Sequence, residues 1–443
     1  MSSTGARVTV IGGGLAGIAC ALDCAEAGAE VRLLEVRRRL GGAVYSFARE
    51  DMQLDNGQHV FLRCCHAYRA LLARLGSEAL TRVQERLAIP VLSPDRPPAM
   101  LARGRLPAPL HLAGALARYP HLTLAERMGA ARAALALARA DPEERALDES
   151  SFGEWLARHG QGQRAIAALW DLIALPSLNL KAAEASAALG AFVFQTGLFA
   201  RADAGDIGFH ERPLGEIVDL PAQRSLARAG VEVRLGWRAQ AIARADGGFA
   251  VVGADGERVA GEAVVVAAPH ARAAGLIEPL LPEQAKRLRQ IGSSPIVNVH
   301  IVYDRRVCDE RFAAGVGSPV QYLFDRSATG GIPPGCQYLA VSLSGAEPEM
   351  QMSVERLRER YVPALAALLP RAAQAKVERF FVTREHAATF RAAPGVGALR
   401  PRARTSLAGL VLAGAWTDTG WPATLEGAVK SGHAAAREAL ACL

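Results

Sequence analysis

Gly12, Gly14 and Gly17 directly follow a short apolar run at residues 8–11, and no other feature constrains the fold of this chain as much. The run reads as a buried strand. Glycine is required after it at three places: for a tight turn at Gly12, for close backbone approach to a pyrophosphate at Gly14, and for helix-to-strand packing at Gly17. Leu15 and Ala16 open a helix that runs to residue 27 and stops at Gly28, its free N–H groups aimed at the phosphates. A second strand, residues 31–34, delivers Glu35 eighteen residues after Gly17, where a carboxylate accepts hydrogen bonds from ribose hydroxyls. A glycine triplet alone is common in turns. With strand, helix, second strand and Glu35 in register, it specifies a dinucleotide site in a Rossmann-like α/β fold.

A chain of 443 residues exceeds the size of a single core, so two domains are expected, and its 50% apolar content fits a folded protein. The net charge of +7 comes almost wholly from arginines in alanine-rich helical segments. No basic run is interleaved with aromatics, so nucleic acid is not the expected partner, whereas a weakly basic surface facing anionic lipid stays open. The seven cysteines, Cys20, Cys24, Cys64, Cys65, Cys308, Cys336 and Cys442, show no CxxC spacing and read as reduced structural thiols of a cytoplasmic protein. The ten histidines are scattered without a metal-binding motif, so no metal is expected. No apolar stretch reaches the roughly 20 residues that span a bilayer.

Beyond Gly57 the chain turns to Arg- and Ala-rich helical segments as far as about residue 204, with a Pro-rich break at 90–109. Strands are expected at 231–252, with a hairpin turn at Gly247 and Gly248, at 262–268 and at 294–304. Helices follow at 353–373, then a short strand at 410–413 and a helix at about 424–440. The two ends of the chain therefore read as parts of one nucleotide domain. A discontinuous domain is expected from residues 1–75, 215–275 and 400–443, with a substrate domain inserted at 76–214 and 276–399.

The glycine motif does not separate FAD from NAD. The segment after Glu35, with Val36, Arg37, Arg39, Gly41 and Gly42, resembles the second FAD motif of the amine oxidase and phytoene desaturase superfamily. That resemblance implies a Rossmann-like FAD-binding domain of the glutathione reductase type with an inserted α+β substrate domain. Further segments, DNGQHVFLRCC from Asp55, LWDLIALPSLNL from Leu169, SPIVNVHIVYD from Ser294 and AGAWTDTGWPATLEGAVKSG from Ala413, resemble the squalene-associated FAD-dependent desaturases, the hydroxysqualene dehydroxylase family of bacterial hopanoid synthesis. By that resemblance Gly414 and Ala415 meet the FAD pyrophosphate. Pro422, Ala423 and Thr424 begin a helix beneath the flavin, and Ala239 pairs through its backbone with adenine. Two positions depart from the family: Ala43 stands where Arg is usual, and Ala415 where Asp is usual. Ala387 stands where a basic residue is usual.

The implied reaction is reduction of an allylic alcohol, hydroxysqualene, to squalene. Loss of the hydroxyl leaves an allylic cation that takes hydride from N5 of reduced flavin. It requires a long apolar isoprenoid substrate, a proton donor and exclusion of water. Asp418 and His59 are the candidate donors, with His300 more remote; each has an equally good reading as a turn or packing residue. Residues 100–128 read as an amphipathic pair of helices, either over the core or on the inner face of the cell membrane. Three other functions fit the same features: a carotenoid or phytoene-type desaturase, an FAD amine oxidase with Trp416 and Trp421 as an aromatic cage, and a degenerate flavoprotein without catalysis.

Overall fold

A computed structural model describes residues 5–443. Its centre is a five-stranded parallel sheet in the spatial order Glu232–Leu235, Glu30–Glu35, Arg7–Ile11, Ala263–Val266, Leu410–Leu412. The register pairs Val10 with Leu33 on one side and with Val265 on the other. All four residues of Ala263–Val266 are buried, as parallel strands covered on both faces must be. An antiparallel meander of Ala239–Ala245, Gly248–Gly253 and Arg258–Gly261 leads into that strand.

Helix Leu15–Glu26 covers one face of the sheet and packs along helix Leu425–Leu440. The two helices approach so closely that a Cβ on Gly432 would lie 2.3 Å from the Ala16 carbonyl oxygen. The segments that build the sheet, residues 7–35, 232–266 and 410–412, are far apart in sequence, and the rest of the chain returns between them.

A second, seven-stranded sheet has the order Val377–Phe390, Ser293–Tyr303, Gln337–Ser344, Tyr322–Asp325, Phe312–Gly315, Ala88–Leu92, Ala99–Ala102. Ser293–Tyr303 lies next to the edge strand Val377–Phe390, is buried on both faces, and pairs antiparallel with both neighbours. Two sequence expectations change here. The Pro-rich stretch at 90–109 is no simple break, because Ala88–Leu92 and Ala99–Ala102 form an antiparallel hairpin that closes this sheet. Consequently residues 100–128 are not a helix pair throughout: they start in a strand and become helical only from Leu110.

A helical layer follows, with helices Leu124–Leu137, Phe152–Arg158, Asp171–Leu178 and Ala187–Phe194 around a core that includes Phe152, Trp155, Trp170 and Phe194. Asn179 fastens this layer to the second sheet. It caps helix Asp171–Leu178 in the left-handed conformation (φ 53°), which Asn tolerates better than most residues. Its side chain donates to the Ser294 carbonyl at 3.0 Å and to Thr389 Oγ1 at 3.0 Å, and accepts from the Gly345 N–H at 2.7 Å. All seven cysteines are free.

Candidate functional site

The first glycine turn and the segment after Glu35 are in direct contact. Gly41 N–H donates to the Gly13 carbonyl at 2.8 Å, and a Cβ on Gly42 would fall 2.8 Å from Gly14 Cα. At Gly17 a Cβ would lie 1.9 Å from the Gly12 carbonyl oxygen, so only glycine lets the helix start this close to the turn. Gly14 caps helix Leu15–Glu26 without any side-chain hydrogen bond, and a Cβ there would meet nothing nearer than Gly42 Cα at 3.8 Å. The helix thus begins with unclaimed N–H groups that open onto space between two glycine segments, a geometry suited to a pyrophosphate.

Glu35 is buried, and its carboxylate accepts from Gly13 N–H at 2.6 Å and from Arg37 N–H at 2.7 Å. An ionised carboxylate has about four lone-pair sites, so two stay available for ribose hydroxyls. Val36 is exposed beside it. The loop before Ala239 runs alongside, since Trp237 N–H donates to the Glu35 carbonyl at 2.9 Å. Ala239 itself is buried, and its carbonyl accepts from Arg272 at 2.5 Å.

Ala43 is exposed, and a neighbouring cation stands close to it. The Arg39 guanidinium lies 3.7 Å from the centroid of the Tyr45 ring and donates to the Gly42 carbonyl at 3.1 Å, while its Nη2 is buried without a partner. The Arg37 guanidinium sits 5.5 Å from the same ring. Beyond it the Tyr45 hydroxyl donates to Glu385 at 2.9 Å, and Asn56 Nδ2 donates to the Ala43 carbonyl at 2.9 Å. Ala387 is exposed two residues past Glu385.

The DNGQH segment turns polar groups into the same region. Asp55 is fixed by Ser46 Oγ at 2.6 Å, by Leu214 N–H at 2.9 Å and by Arg326. Gln58 Nε2, His59 Nε2 and Asn298 Oδ1 are buried without hydrogen-bond partners. A Cβ on Gly57 would lie 3.5 Å from His59 Nε2 and 4.0 Å from Asn298 Nδ2, so these groups cluster. Buried polar atoms left without partners are costly, and a cluster of them marks a place for a ligand with polar edges. Burial pushes the His59 pKa down, so its ring is neutral at physiological pH. His300 lies deeper in the sheet, with Nδ1 2.6 Å from the Tyr338 hydroxyl and Nε2 3.0 Å from Thr383 Oγ1.

The turn after Leu410–Leu412 is built around two residues that sequence reasoning missed. Arg400 is buried and donates to the carbonyls of Thr417 at 2.6 Å, Trp421 at 2.7 Å and Ala415 at 3.4 Å. Burial lowers its pKa to about 10, still charged at neutral pH. Glu426, in the first turn of helix Leu425–Leu440, is 2% exposed and accepts from Ala67 N–H at 3.1 Å and Tyr68 N–H at 2.8 Å. It joins the N-termini of two helices. An acid inside an otherwise apolar helix start is the only local signal for this role, and Arg400 has none.

Gly414 is buried and donates through its N–H to Ser431 Oγ at 2.9 Å. Trp416 is buried and donates to the Ala268 carbonyl at 3.0 Å, while Trp421 meets Phe192 of the helical layer edge-on at 5.2 Å. The two indoles thus belong to different environments and do not form a pair. Pro422 and Ala423 lead into Thr424, whose hydroxyl caps the helix by accepting from Gly427 N–H at 3.1 Å. Asp418 is exposed on the turn, its N–H donating to the Pro401 carbonyl at 2.8 Å and its carboxylate accepting from Gly420 N–H at 3.4 Å.

Comparison with known proteins agrees with this geometry. The family model of the flavin-containing amine oxidoreductases matches residues 15–440, and the chain belongs to that family. It is 30% identical to a hydroxysqualene dehydroxylase of Rhodopseudomonas palustris, over 98% of both chains. It is 26% identical to a zeta-carotene desaturase of Synechocystis, over 98% of this chain and 97% of the other. The solved structure of cyclohexylamine oxidase from Brevibacterium oxydans superimposes with a TM-score of 0.75 over 99% of both chains at 18% identity, a likeness of fold. The protein is an FAD-dependent oxidoreductase with an α/β FAD-binding fold. The glycine cradle, the uncapped helix start and Glu35 all fit that cofactor.

Proposed function

We propose that this flavoprotein of the amine oxidoreductase family reduces hydroxysqualene to squalene. The observation that carries the reading is the end-to-end similarity to a hydroxysqualene dehydroxylase, which exceeds that to the carotene desaturase. Both relatives are named for isoprenoid substrates, so a long apolar substrate is common ground. The separated indoles also differ from the cage expected of an amine oxidase.

In this reading Glu35 holds the ribose, the N–H groups at Gly14, Leu15 and Ala16 hold the pyrophosphate, and Arg37, Arg39, Gly41 and Gly42 enclose its other side. Gly414 and Ala415, held in place by Arg400, border the pyrophosphate, and the turn through Pro422, Ala423 and Thr424 carries the start of a helix under the ring. The Ala239 backbone faces the adenine. When bound in its reduced form, the flavin would supply a hydride to the carbon that loses its hydroxyl, and would itself be oxidised to FAD. The C–O bond would break, the hydroxyl would leave as water after taking a proton drawn from solvent, and the new C–H bond would form at the same carbon. His59, neutral and with an unpaired Nε2, offers a hydrogen bond to the hydroxyl. Trp421 and Phe192 shield the site from water with apolar surface.

Holoprotein reduced with dithionite under argon, given hydroxysqualene, is expected to yield squalene in the extracted lipids. The oxidised holoprotein with a quinone acceptor is given phytoene and zeta-carotene in parallel. Desaturation of a carotenoid with no squalene formed from hydroxysqualene overturns the reading.

A further inference from the structure

Residues 96–140 contain seven arginines and one acid, Glu126, so six of the seven units of the chain's net charge lie in this one stretch. The net excess of positive charge is therefore concentrated here, because acids are scarce in the stretch and not because arginines crowd into it. Among the described residues, Arg103 is the only one of the seven in an ion pair, with Asp206. Arg96 and Arg127 donate to backbone carbonyls, which leaves their charge uncompensated. Glu126 is claimed by its own helix cap and by Arg164.

The same stretch exposes apolar side chains. Of the eleven exposed large apolar residues among those described, six fall between Met100 and Leu135, including Leu106, Leu110 and Leu124, the last 70% exposed. Helix Leu124–Leu137 buries Ala130, Ala133 and Leu137 against the core. At 3.6 residues per turn Leu124, Met128 and Leu135 fall within about 60° of one another on the opposite face. Arg127 flanks that stripe on one side and Arg132 on the other. A helix apolar on two opposite faces with only one face covered needs a second apolar contact. Helix Ala113–Ala117 packs against it and against strand Ala99–Ala102, which carries Met100, so the exposed residues form one surface.

We infer that this surface docks on an anionic lipid bilayer, with Leu124, Met128 and Leu135 inserted between headgroups and the arginines paired with lipid phosphates. Apolar residues rimmed by arginine match the layered chemistry of a bilayer surface. A two-fold contact with a second copy would set the same uncompensated arginines against each other. Nucleic acid would need exposed aromatics, and the single aromatic of the stretch other than its histidines, Tyr119, is 1% exposed. No helix among the described residues is long and apolar enough to cross a membrane, so the contact is peripheral. The inference does not rest on the reaction.

The test is co-sedimentation of the FAD-loaded protein with phosphatidylcholine vesicles containing about three-tenths phosphatidylglycerol, against pure phosphatidylcholine. Binding is expected to the anionic vesicles, and to weaken as salt rises from about 0.1 M to about 1 M. Two variants separate the contributions. Leu124→Ser/Met128→Ser/Leu135→Ser is expected to lower the partition coefficient at least about tenfold by loss of inserted apolar area. Arg118→Glu/Arg132→Glu is expected to do so by charge reversal, also at least about tenfold. All five positions are exposed, and unchanged thermal melting verifies folding. Wild-type protein that stays in the supernatant with anionic vesicles overturns the inference, as does binding unchanged in both variants. A dimer that the triple serine variant dissociates, with vesicle binding unaffected, assigns the stripe to a second copy and overturns it as well.

Discussion

Replacing Glu426 by Ala removes the single carboxylate that accepts from Ala67 N–H and Tyr68 N–H, at the start of helix His66–Leu75. Tyr68 is fully buried, so its N–H has no water to turn to, and an unsatisfied buried donor costs about 1–3 kcal/mol. The carboxylate also faces the positive ends of two helices, each interaction worth about 0.3–1 kcal/mol. Relief of burying a charge offsets part of this loss. The expected net destabilisation is therefore about 2–4 kcal/mol for Glu426→Ala. Glu426→Gln keeps one acceptor and loses the charge, and is expected to cost about half as much. Urea unfolding of the apoprotein, followed by circular dichroism, reads both values, with the slope against denaturant unchanged. If Glu426→Ala lies within about 0.5 kcal/mol of wild type, or Gln costs as much as Ala, the junction does not work through these hydrogen bonds.

Glu35→Gln is expected to weaken FAD binding by about ten- to a hundredfold through loss of charge-assisted bonds to the ribose, measured by quenching of flavin fluorescence; unchanged affinity would remove Glu35 from the site. Burial holds the His300 pKa down to about 3, from an ordinary 6.5. The unfolded chain therefore binds a proton that the folded chain refuses between those values, and stability falls as pH drops through 6.5 toward 3. His300 contributes up to about 1.4 kcal/mol per pH unit to that slope, and His300→Gln is expected to flatten it by that amount in urea titrations at a series of pH values. Asp418→Asn is expected to change single-turnover rates less than about twofold, because its exposed carboxylate serves the turn; a loss of about a hundredfold or more would make it the proton donor.

The dinucleotide half of the fold was legible because its signals are local. Spacing alone placed the strand before Gly12, the helix after Gly14 and the acid at Glu35. The strands 263–266 and 410–412 were legible as continuous apolar runs, as buried parallel strands are. The second sheet was largely hidden. Val377–Phe390 carries charges along its length because it is an edge strand with one neighbour, Ser293–Tyr303, so its pattern does not resemble a core strand. Pro90 and the prolines after Leu92 disguised a hairpin as a break; Pro90 is tolerated because the pairing of its strand to Phe312–Gly315 begins only at Val91, so its missing donor has no ladder partner on that side. At the site, the glycines and Glu35 announced themselves, while Arg400 and Glu385 act on partners scattered through the sequence. The concentration of charge in residues 96–140 was present in the sequence, but its meaning depends on which faces of helix Leu124–Leu137 the core covers.

The parallel sheet also bears on how the protein is made. Its edge strand Leu410–Leu412 pairs with Ala263–Val266, and helix Leu425–Leu440 covers helix Leu15–Glu26. While the ribosome is still translating the middle of the chain, the apolar surface of the glycine-turn helix has no cover, and the start of the helix assigned to the flavin does not yet exist. Nascent chains must therefore be kept from aggregating until more than four hundred residues have emerged. Tight loading of the cofactor becomes a late event of biosynthesis, so a cell short of FAD would be expected to accumulate full-length but incompletely closed protein, the form most exposed to proteolysis.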